Sequence, residues 1–120
     1  MRISELAARA GVSTHALRHY ERQGLLCPAR RPSGYREYPA SALRDVQFIV
    51  QGRRLGFSLK ELGEALPAYR AGRLTPQFGI EALTERIATL DRELAARRAL
   101  RAELLRHLKR LQRQLKENER

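Results

Sequence analysis

The last third of the chain constrains the fold most, because it repeats apolar residues at steps of three and four positions without a glycine or proline. From Ile80 onward, apolar residues occupy the a and d positions of five heptads, interrupted only at Arg97 and Arg101. A soluble monomer would leave this stripe exposed, so the pattern predicts a helix that self-associates. The predicted dimerisation residues are Ile80, Leu83, Ile87, Leu90, Leu94, Leu104, Leu108, Leu111 and Leu115.

The length of this helix indicates that a second copy of the chain covers the stripe. The apolar run would extend about 54 Å at about 1.5 Å per residue, whereas a domain built from the preceding residues would be only about 25 Å across. In a parallel dimer, Arg97 and Arg101 would each face their own copy and repel it. An antiparallel pairing lets each arginine meet Asp91, Glu93 or Glu103 of the other chain. We therefore predict an antiparallel coiled-coil homodimer.

The first residues of the chain indicate two short helices joined by a tight turn. SELAARAG is typical of a helix with Ser4 as its N-cap and Gly11 as its end. After Val12, Ser13 is the expected N-cap of a second helix, THALRHYERQG, which Gly24 closes. This spacing is that of a helix-turn-helix, whose second helix enters the major groove of DNA, although simple helical hairpins share it.

The segment LLCPARRPSGYREYP that follows is predicted to form a β-hairpin wing. Pro28 and Pro32 exclude a helix, Ser33 and Gly34 supply a turn, and the aromatic alternation that follows is typical of a short strand. Arginines and tyrosines on such a projection would meet phosphate oxygens. These side chains are Arg30, Arg31, Arg36, Tyr35 and Tyr38. The alternative is a solvated basic loop with tyrosines packed inward, and one tyrosine is expected to anchor the hairpin.

Residues 40–66 are predicted to supply the apolar mass of the head. The sequence indicates one helix, a break at Gly56, and a second helix that begins with a capping box from Ser58 to Glu61. The predicted organisation is therefore a winged helix-turn-helix domain at 1–66, a linker at 67–79 and a coiled-coil helix at 80–120. The predicted fold class is mainly α with a small β-hairpin.

The charge favours a nucleic-acid partner. The chain carries 24 Lys and Arg against 13 Asp and Glu, for a net charge of +11. A membrane surface is a poorer partner, because the chain lacks tryptophan and a basic amphipathic helix with bulky aromatic residues. No apolar run reaches the length of a membrane span or a secretion signal, so the protein is expected in the cytoplasm, associated with the nucleoid.

The sequence offers no catalytic or metal constellation. It contains no paired carboxylates, nucleophile with a base, or glycine-rich phosphate loop, so we expect neither enzyme activity nor a cofactor. Cys27 is the only cysteine and is expected to be a small packing residue. His15 and His19 have zinc-ligand spacing, but no third ligand is near in sequence. We expect no metal site.

Three motifs resemble the N-terminal head of MerR-type bacterial regulators. They are LRHYERQGLL, PSGYREY and RRLGFSLKEL, which occur in the family's order and spacing over residues 1–66. The resemblance implies a two-fold dimer with antiparallel coiled-coil helices that binds double-stranded promoter DNA. It further implies activation through bending and untwisting of the promoter spacer, with RNA polymerase as a partner at the promoter.

The resemblance also implies which residues contact DNA. It places Thr14, Arg18, His19 and Tyr20 on the recognition helix and Ser33, Gly34, Tyr35, Arg36 and Tyr38 in the wing. Position in the first helical turns adds His15, and charge adds further candidates for phosphate contacts. These are Arg31, Arg53, Arg54 and Lys60.

The chain departs from the family's metal-sensing members, which keep cysteines near the start of the dimerisation helix and just past its end, and from its redox members, which keep a cysteine cluster. Its tail has none, so thiophilic metals and iron–sulfur clusters are disfavoured as signals, and the effector is unidentified. The alternative function is that of a basic, coiled-coil architectural or RNA-binding protein without sequence preference. Such a protein explains the charge equally well, but not the turn or the wing.

Overall fold

A computed structural model describes residues 1–30, 32 and 34–119 and divides them between two compact units. The first unit is Met1–Pro76, and the second begins at Gln77. The first unit contains α1 (Ile3–Ala10), α2 (Thr14–Arg22), β1 (Ala29–Arg30), β2 (Arg36–Glu37), α3 (Ala42–Arg54) and α4 (Leu59–Arg70). The last helix, α5 (Pro76–Asn118), begins at the final residue of the first unit and forms the second. The predicted fold, mainly α with a winged helix-turn-helix head and a long C-terminal helix, is confirmed.

The turn between α1 and α2 forms as predicted. Gly11 adopts a φ of 70°, which favours glycine, and the N–H of Val12 donates to the carbonyl of Ala7 at 3.1 Å. The Ser13 hydroxyl caps α2 by accepting from the Ala16 N–H at 3.0 Å. The prediction of Ser4 as the cap of α1 was wrong, because this helix begins at Ile3 and its N-cap residue makes no side-chain capping bond.

Two apolar clusters hold the four helices of the head together. The first joins α1, α2 and α3 and includes the fully buried side chains of Leu6, Leu17 and Val46. Burying each such side chain contributes about 1.5 to 3 kcal/mol. The second cluster joins the end of α2 to α3 and α4, and its buried members are Leu25, Ile49, Leu62 and Leu66.

The contact between α3 and α4 is close at Gly52. A Cβ at Gly52 would collide with the side chain of Leu62, so the absence of a side chain lets the two helices approach closely. The capping box at the start of α4 is confirmed, because Ser58 and Glu61 exchange hydrogen bonds of 2.9 and 3.0 Å. This cap fixes the direction in which α4 leaves the turn.

The α4 helix continues through Pro67 to Arg70, so its last turn falls in the stretch predicted as a linker. The Arg70 guanidinium donates to the Asp45 carboxylate on α3 and to the Leu25 carbonyl, each at 3.0 Å. Tyr69 stacks on Phe48 of α3 with ring centroids 4.4 Å apart. These contacts offset the hydrogen bond that a proline removes from a helix.

The wing is a two-stranded antiparallel hairpin in which Ala29 pairs with Glu37 and Arg30 with Arg36. The backbone of Met1 extends it, since the Tyr38 N–H donates to the Met1 carbonyl and the Met1 amino group donates to the Tyr38 carbonyl, both at 2.7 Å. The predicted hairpin is therefore present, with strands of only two residues.

The second unit is one continuous helix without a buried residue. It begins at Pro76, four residues before the start expected from the heptads, because proline suits the first helical position, where its missing N–H is not needed. The nine seam residues predicted for dimerisation are between 40 and 61 % exposed in the single chain. Among the residues described, no helix is both long and apolar enough to span a membrane.

Candidate nucleic-acid interface

The second helix of the helix-turn-helix presents a polar face to solvent. Leu17 is fully buried and attaches α2 to the core. On the side away from this contact, His15 and Arg18 are exposed, and Thr14 and His19 are half-buried. Because positions three and four apart share a face of a helix, the structure brings His15, Arg18 and His19 together. This face carries hydrogen-bond donors that suit base edges and phosphates.

Tyr20 has a different position from the other recognition-helix candidates. Its ring is half-buried and packs against both apolar clusters of the head. It lies 6.4 Å from the His19 ring, centroid to centroid. Tyr20 therefore connects the helix-turn-helix to α3 and α4 as well as flanking the polar face.

Glu21 links the recognition helix to the wing. One carboxylate oxygen accepts from the Arg36 Nε at 3.1 Å, and the other accepts from the Tyr38 hydroxyl at 3.3 Å. The Glu21 side chain is only 20 % exposed, so these bonds are shielded more than a surface ion pair would be. Glu21 was not among the site residues predicted from the sequence. Its one signal in the sequence is that it is the only acidic residue in α2.

Tyr38 is a core residue, and this removes it from the candidate DNA contacts. Its ring is 1 % exposed, and burial raises the pKa of its hydroxyl above the ordinary value of 10.0, an effect that the negative charge of Glu21 increases. A buried phenol cannot reach a phosphate oxygen while it donates to Glu21. It is the tyrosine that anchors the hairpin, and Tyr35 is the one that faces outward.

The outer surface of the wing carries Tyr35, whose ring is 55 % exposed. The guanidinium of Arg2 lies over this ring, 4.4 Å from its centroid, in a cation–π contact. Gly34 adopts a φ of 86° in the hairpin turn, a conformation that favours glycine. Arg31 and Ser33, which were also predicted to contact DNA, lie outside the described residues. Arg2 is a further candidate that was not predicted from the sequence, because only the fold brings it to the wing.

A second basic group lies at the turn between α3 and α4. Arg53 and Arg54 are exposed in the last turn of α3, and Lys60 is exposed in the first turn of α4. The Arg53 guanidinium donates to the Phe57 carbonyl at 3.0 Å, which holds the turn closed. The structure therefore groups these three predicted phosphate contacts around one turn.

The described residues contain no cluster of three His, Cys, Asp or Glu side chains placed to hold a metal ion. Cys27 lies in the loop between α2 and β1, where it is exposed. The expectation that it is a packing residue was therefore wrong. Its neighbours Leu25 and Leu26 fill the two clusters instead.

A capped recognition helix, a tight preceding turn and an attached basic hairpin define a winged helix-turn-helix protein of the DNA-binding class. The sequence matches the family described as MerR HTH family regulatory protein over residues 1–69, and the family described as MerR, DNA binding, over residues 43–107. The chain belongs to the MerR family and is a DNA-binding transcriptional regulator.

Individual relatives agree with this assignment. The HTH-type transcriptional regulator CueR of Salmonella typhi is 31% identical over 88% of this chain and 77% of its own length. A probable heavy metal-dependent transcriptional regulator of Haemophilus influenzae is 40% identical over 78% of this chain and 74% of its own. The crystal structure of the transcription regulator PbrR691 from Ralstonia metallidurans CH34 in complex with lead(II) is 32% identical, with a TM-score of 0.74 over 88% of this chain and 83% of that one.

Proposed function

We propose that this chain binds a two-fold promoter site as a homodimer, with α2 of each protomer in the major groove and each wing on the adjacent phosphates. The observation that carries this proposal is the exposed face of α2 with His15 and Arg18, tied to the wing through Glu21. A recognition helix reads base edges with the side chains of its first turns. Arg18 can bind guanine or phosphate through two parallel hydrogen bonds.

The wing and the turn between α3 and α4 are the proposed phosphate contacts. Arg2 and Tyr35 form an exposed pair on the wing, while Arg53, Arg54 and Lys60 form the second basic group. Contacts to phosphates fix the position of a protein on the duplex and make its affinity depend on salt. The net charge of +11 supports this role.

The homodimer is proposed to form through α5 in an antiparallel coiled coil. Nine apolar seam residues of α5 are at least 40 % exposed in the single chain, and an apolar stripe of this length requires a partner. The proposed regulatory step is distortion of the promoter spacer, so that RNA polymerase can engage both promoter elements. We expect no catalytic turnover.

The effector is left open. Heavy-metal dependence is a property given for relatives such as the Haemophilus influenzae protein, and it is not extended to this chain. The chain's one cysteine lies before β1, and α5 contains none.

Footprinting and competition on the DNA upstream of the protein's own gene test the proposal. We expect protection of a two-fold site, and affinity for that site at least about 10³ times that for random DNA of equal length. Equal affinity for both would instead indicate an architectural protein without sequence preference. Altered cleavage reactivity in the centre of the protected spacer is the expected sign of distortion, and unchanged reactivity there would contradict that step.

A further inference from the structure

The two arginines that interrupt the seam lie near its middle. Arg97 occupies a d position and Arg101 the following a position, between Leu94 and Leu104. Both lie on the continuous helix α5 and are exposed in the single chain. Within the described residues, no hydrogen bond or ion pair involves the side chain of either of them. A partner helix that covers the seam must therefore supply the groups that receive these guanidiniums.

An antiparallel pairing of α5 with itself has few possible alignments. Residues at a face residues at d of the other helix, and one heptad is the smallest shift that preserves this pattern. We name three alignments by the residues that face each other across the two chains. Ile87 faces Leu104 in the central alignment and Leu111 in the long-shifted alignment, and Ile80 faces Leu104 in the short-shifted alignment. Neighbouring alignments differ by about 10.5 Å along the helix axis, which is seven residues at about 1.5 Å each.

The central alignment covers the whole seam. Apart from the arginine layers, it pairs apolar side chains throughout, as in Ile80 with Leu111 and Leu83 with Leu108, and it places Leu115 against Pro76 at the start of α5. The short-shifted alignment leaves Leu111 and Leu115 beyond the start of the other helix. The long-shifted alignment places Ile80 against Asn118. Coverage of apolar surface therefore favours the central alignment.

The positions of Arg97 and Arg101 also favour the central alignment over the long-shifted one. In the central alignment Arg97 faces Leu94 and Arg101 faces Leu90, so the arginine stems pack on leucine while the guanidiniums reach the edge of the interface. In the long-shifted alignment Arg97 faces Arg101. That alignment buries two arginine pairs in the seam and is repulsive.

The flanking charges match only in the central alignment. At the same height and on the same side of the interface, Glu93 at g lies beside Arg97 of the other chain, and Asp91 at e lies beside Arg101 and Arg98. In the long-shifted alignment, Arg98 faces its own copy. In the short-shifted alignment, Asp91 does so. Like charges placed opposite each other penalise both shifted alignments.

We propose that Arg97 and Arg101, received by Glu93 and Asp91 of a second copy, fix the register of the α5 dimer in the central alignment. The inference rests on the antiparallel homodimer of the proposed function and adds the residues that specify its register. The partner that this surface fits is another copy of the same chain. A helix lacking acids at those two positions would leave the arginines without partners.

Disulfide crosslinking of the full-length chain tests the register. With Cys27 replaced by serine, each alignment has its own double variant, namely I87C with L104C for the central, I87C with L111C for the long-shifted and I80C with L104C for the short-shifted. A disulfide requires Cα atoms within about 7 Å, which the offset of about 10.5 Å exceeds. Within one chain these positions are at least about 25 Å apart, so any disulfide joins two chains.

We expect the central variant to form crosslinked dimers readily under mild oxidation, and the other two to form them poorly. Stronger crosslinking in either shifted variant, or equal crosslinking in all three, overturns the register. If the protein sediments as a dimer but all three variants crosslink poorly, the proposed register is also wrong, whereas the homodimer of the proposed function stands. A chain that sediments as a monomer and binds DNA as one overturns both.

A second measurement separates a specifying role of the arginines from a merely structural one. Arg97→Leu with Arg101→Leu, introduced into all three reporters, makes the seam continuously apolar and removes the charge contacts. We expect crosslinking in the shifted reporters to rise toward that of the central one. Arg106→Leu with Arg113→Leu on the outer face of α5 is the matched control and should leave the distribution unchanged. An unchanged distribution in the Arg97 and Arg101 variant contradicts the proposal.

Discussion

The two units of this protein reach stability in different ways. The head buries its apolar side chains within one chain, in two clusters that join four helices. The long helix α5 buries none, and its seam residues are at least 40 % exposed. An amphipathic head can fold alone, whereas a single long helix with a leucine stripe needs another helix for burial. The head is therefore stabilised by its own core, whereas α5 has no core within one chain and is proposed to be stabilised by association.

The largest expected effect comes from placing a charge in the apolar seam of α5, which should disrupt the dimer and leave the head folded. Leu108→Asp places two carboxylates in a dimer interface, and we expect a loss of about 4 to 10 kcal/mol in dimer stability, since each copy forfeits a buried leucine. Sedimentation equilibrium should show monomers, and circular dichroism should show partial loss of helix while the head persists. Lys109→Asp on the outer face is the control. A Leu108→Asp protein that remains dimeric would place the interface elsewhere.

The reciprocal experiment destabilises the head and leaves α5 and its dimer unchanged. Leu17 is fully buried, so Leu17→Ala is expected to lower the stability of the head by about 2 to 5 kcal/mol through the lost contacts and the cavity. Chemical denaturation followed by far-ultraviolet circular dichroism should show an earlier head transition, with the dimer retained in sedimentation. Arg22→Ala, exposed on the same helix, is the control. If both units lose structure together, the two are not independent.

The two units should also differ in their contribution to DNA binding, with a smaller change in free energy than in the two preceding experiments. Arg18→Ala is expected to weaken binding to the promoter site by about 1 to 3 kcal/mol, because the exposed guanidinium on α2 would lose its contact with a base or phosphate. Titration in gel-shift assays at fixed salt measures the change. Arg113→Ala on α5 removes the same charge far along the chain and should change affinity little. An unchanged midpoint for Arg18→Ala would remove it from the interface.

The smallest effect concerns the link between α2 and the wing at high pH. The pKa of Tyr38 is raised above 10.0, so the folded state favours the neutral phenol and its contribution to stability is full below pH 10. That contribution is lost as the pH rises above 10 and through the raised pKa. Tyr38→Phe should cost about 0.5 to 1.5 kcal/mol at neutral pH, from its hydrogen bond to Glu21, and should flatten the alkaline loss. Parallel stability curves for the two proteins above pH 10 would contradict this account.

Local signals in the sequence predicted the elements that local chemistry controls. The Gly11 turn, the Ser13 cap and the Ser58 capping box each depend on a few neighbouring residues, and each forms as expected. Local signals failed where several neighbours could serve. Ser4 was predicted as the cap of α1, but the helix begins one residue earlier, at Ile3. The α4 helix continues past Pro67, and Tyr69 and Arg70 in its last turn contact α3.

The heptad pattern of α5, the basic charge and the turn between two short helices follow from the sequence alone, because periodicity and composition are properties of neighbouring residues. Only the tertiary structure decided that Tyr38 is buried and Tyr35 exposed, and that Glu21 holds Arg36. It also decided that Arg2 lies over the wing. These facts depend on contacts between residues far apart in the chain, and no local pattern specifies which of two similar side chains the core will receive.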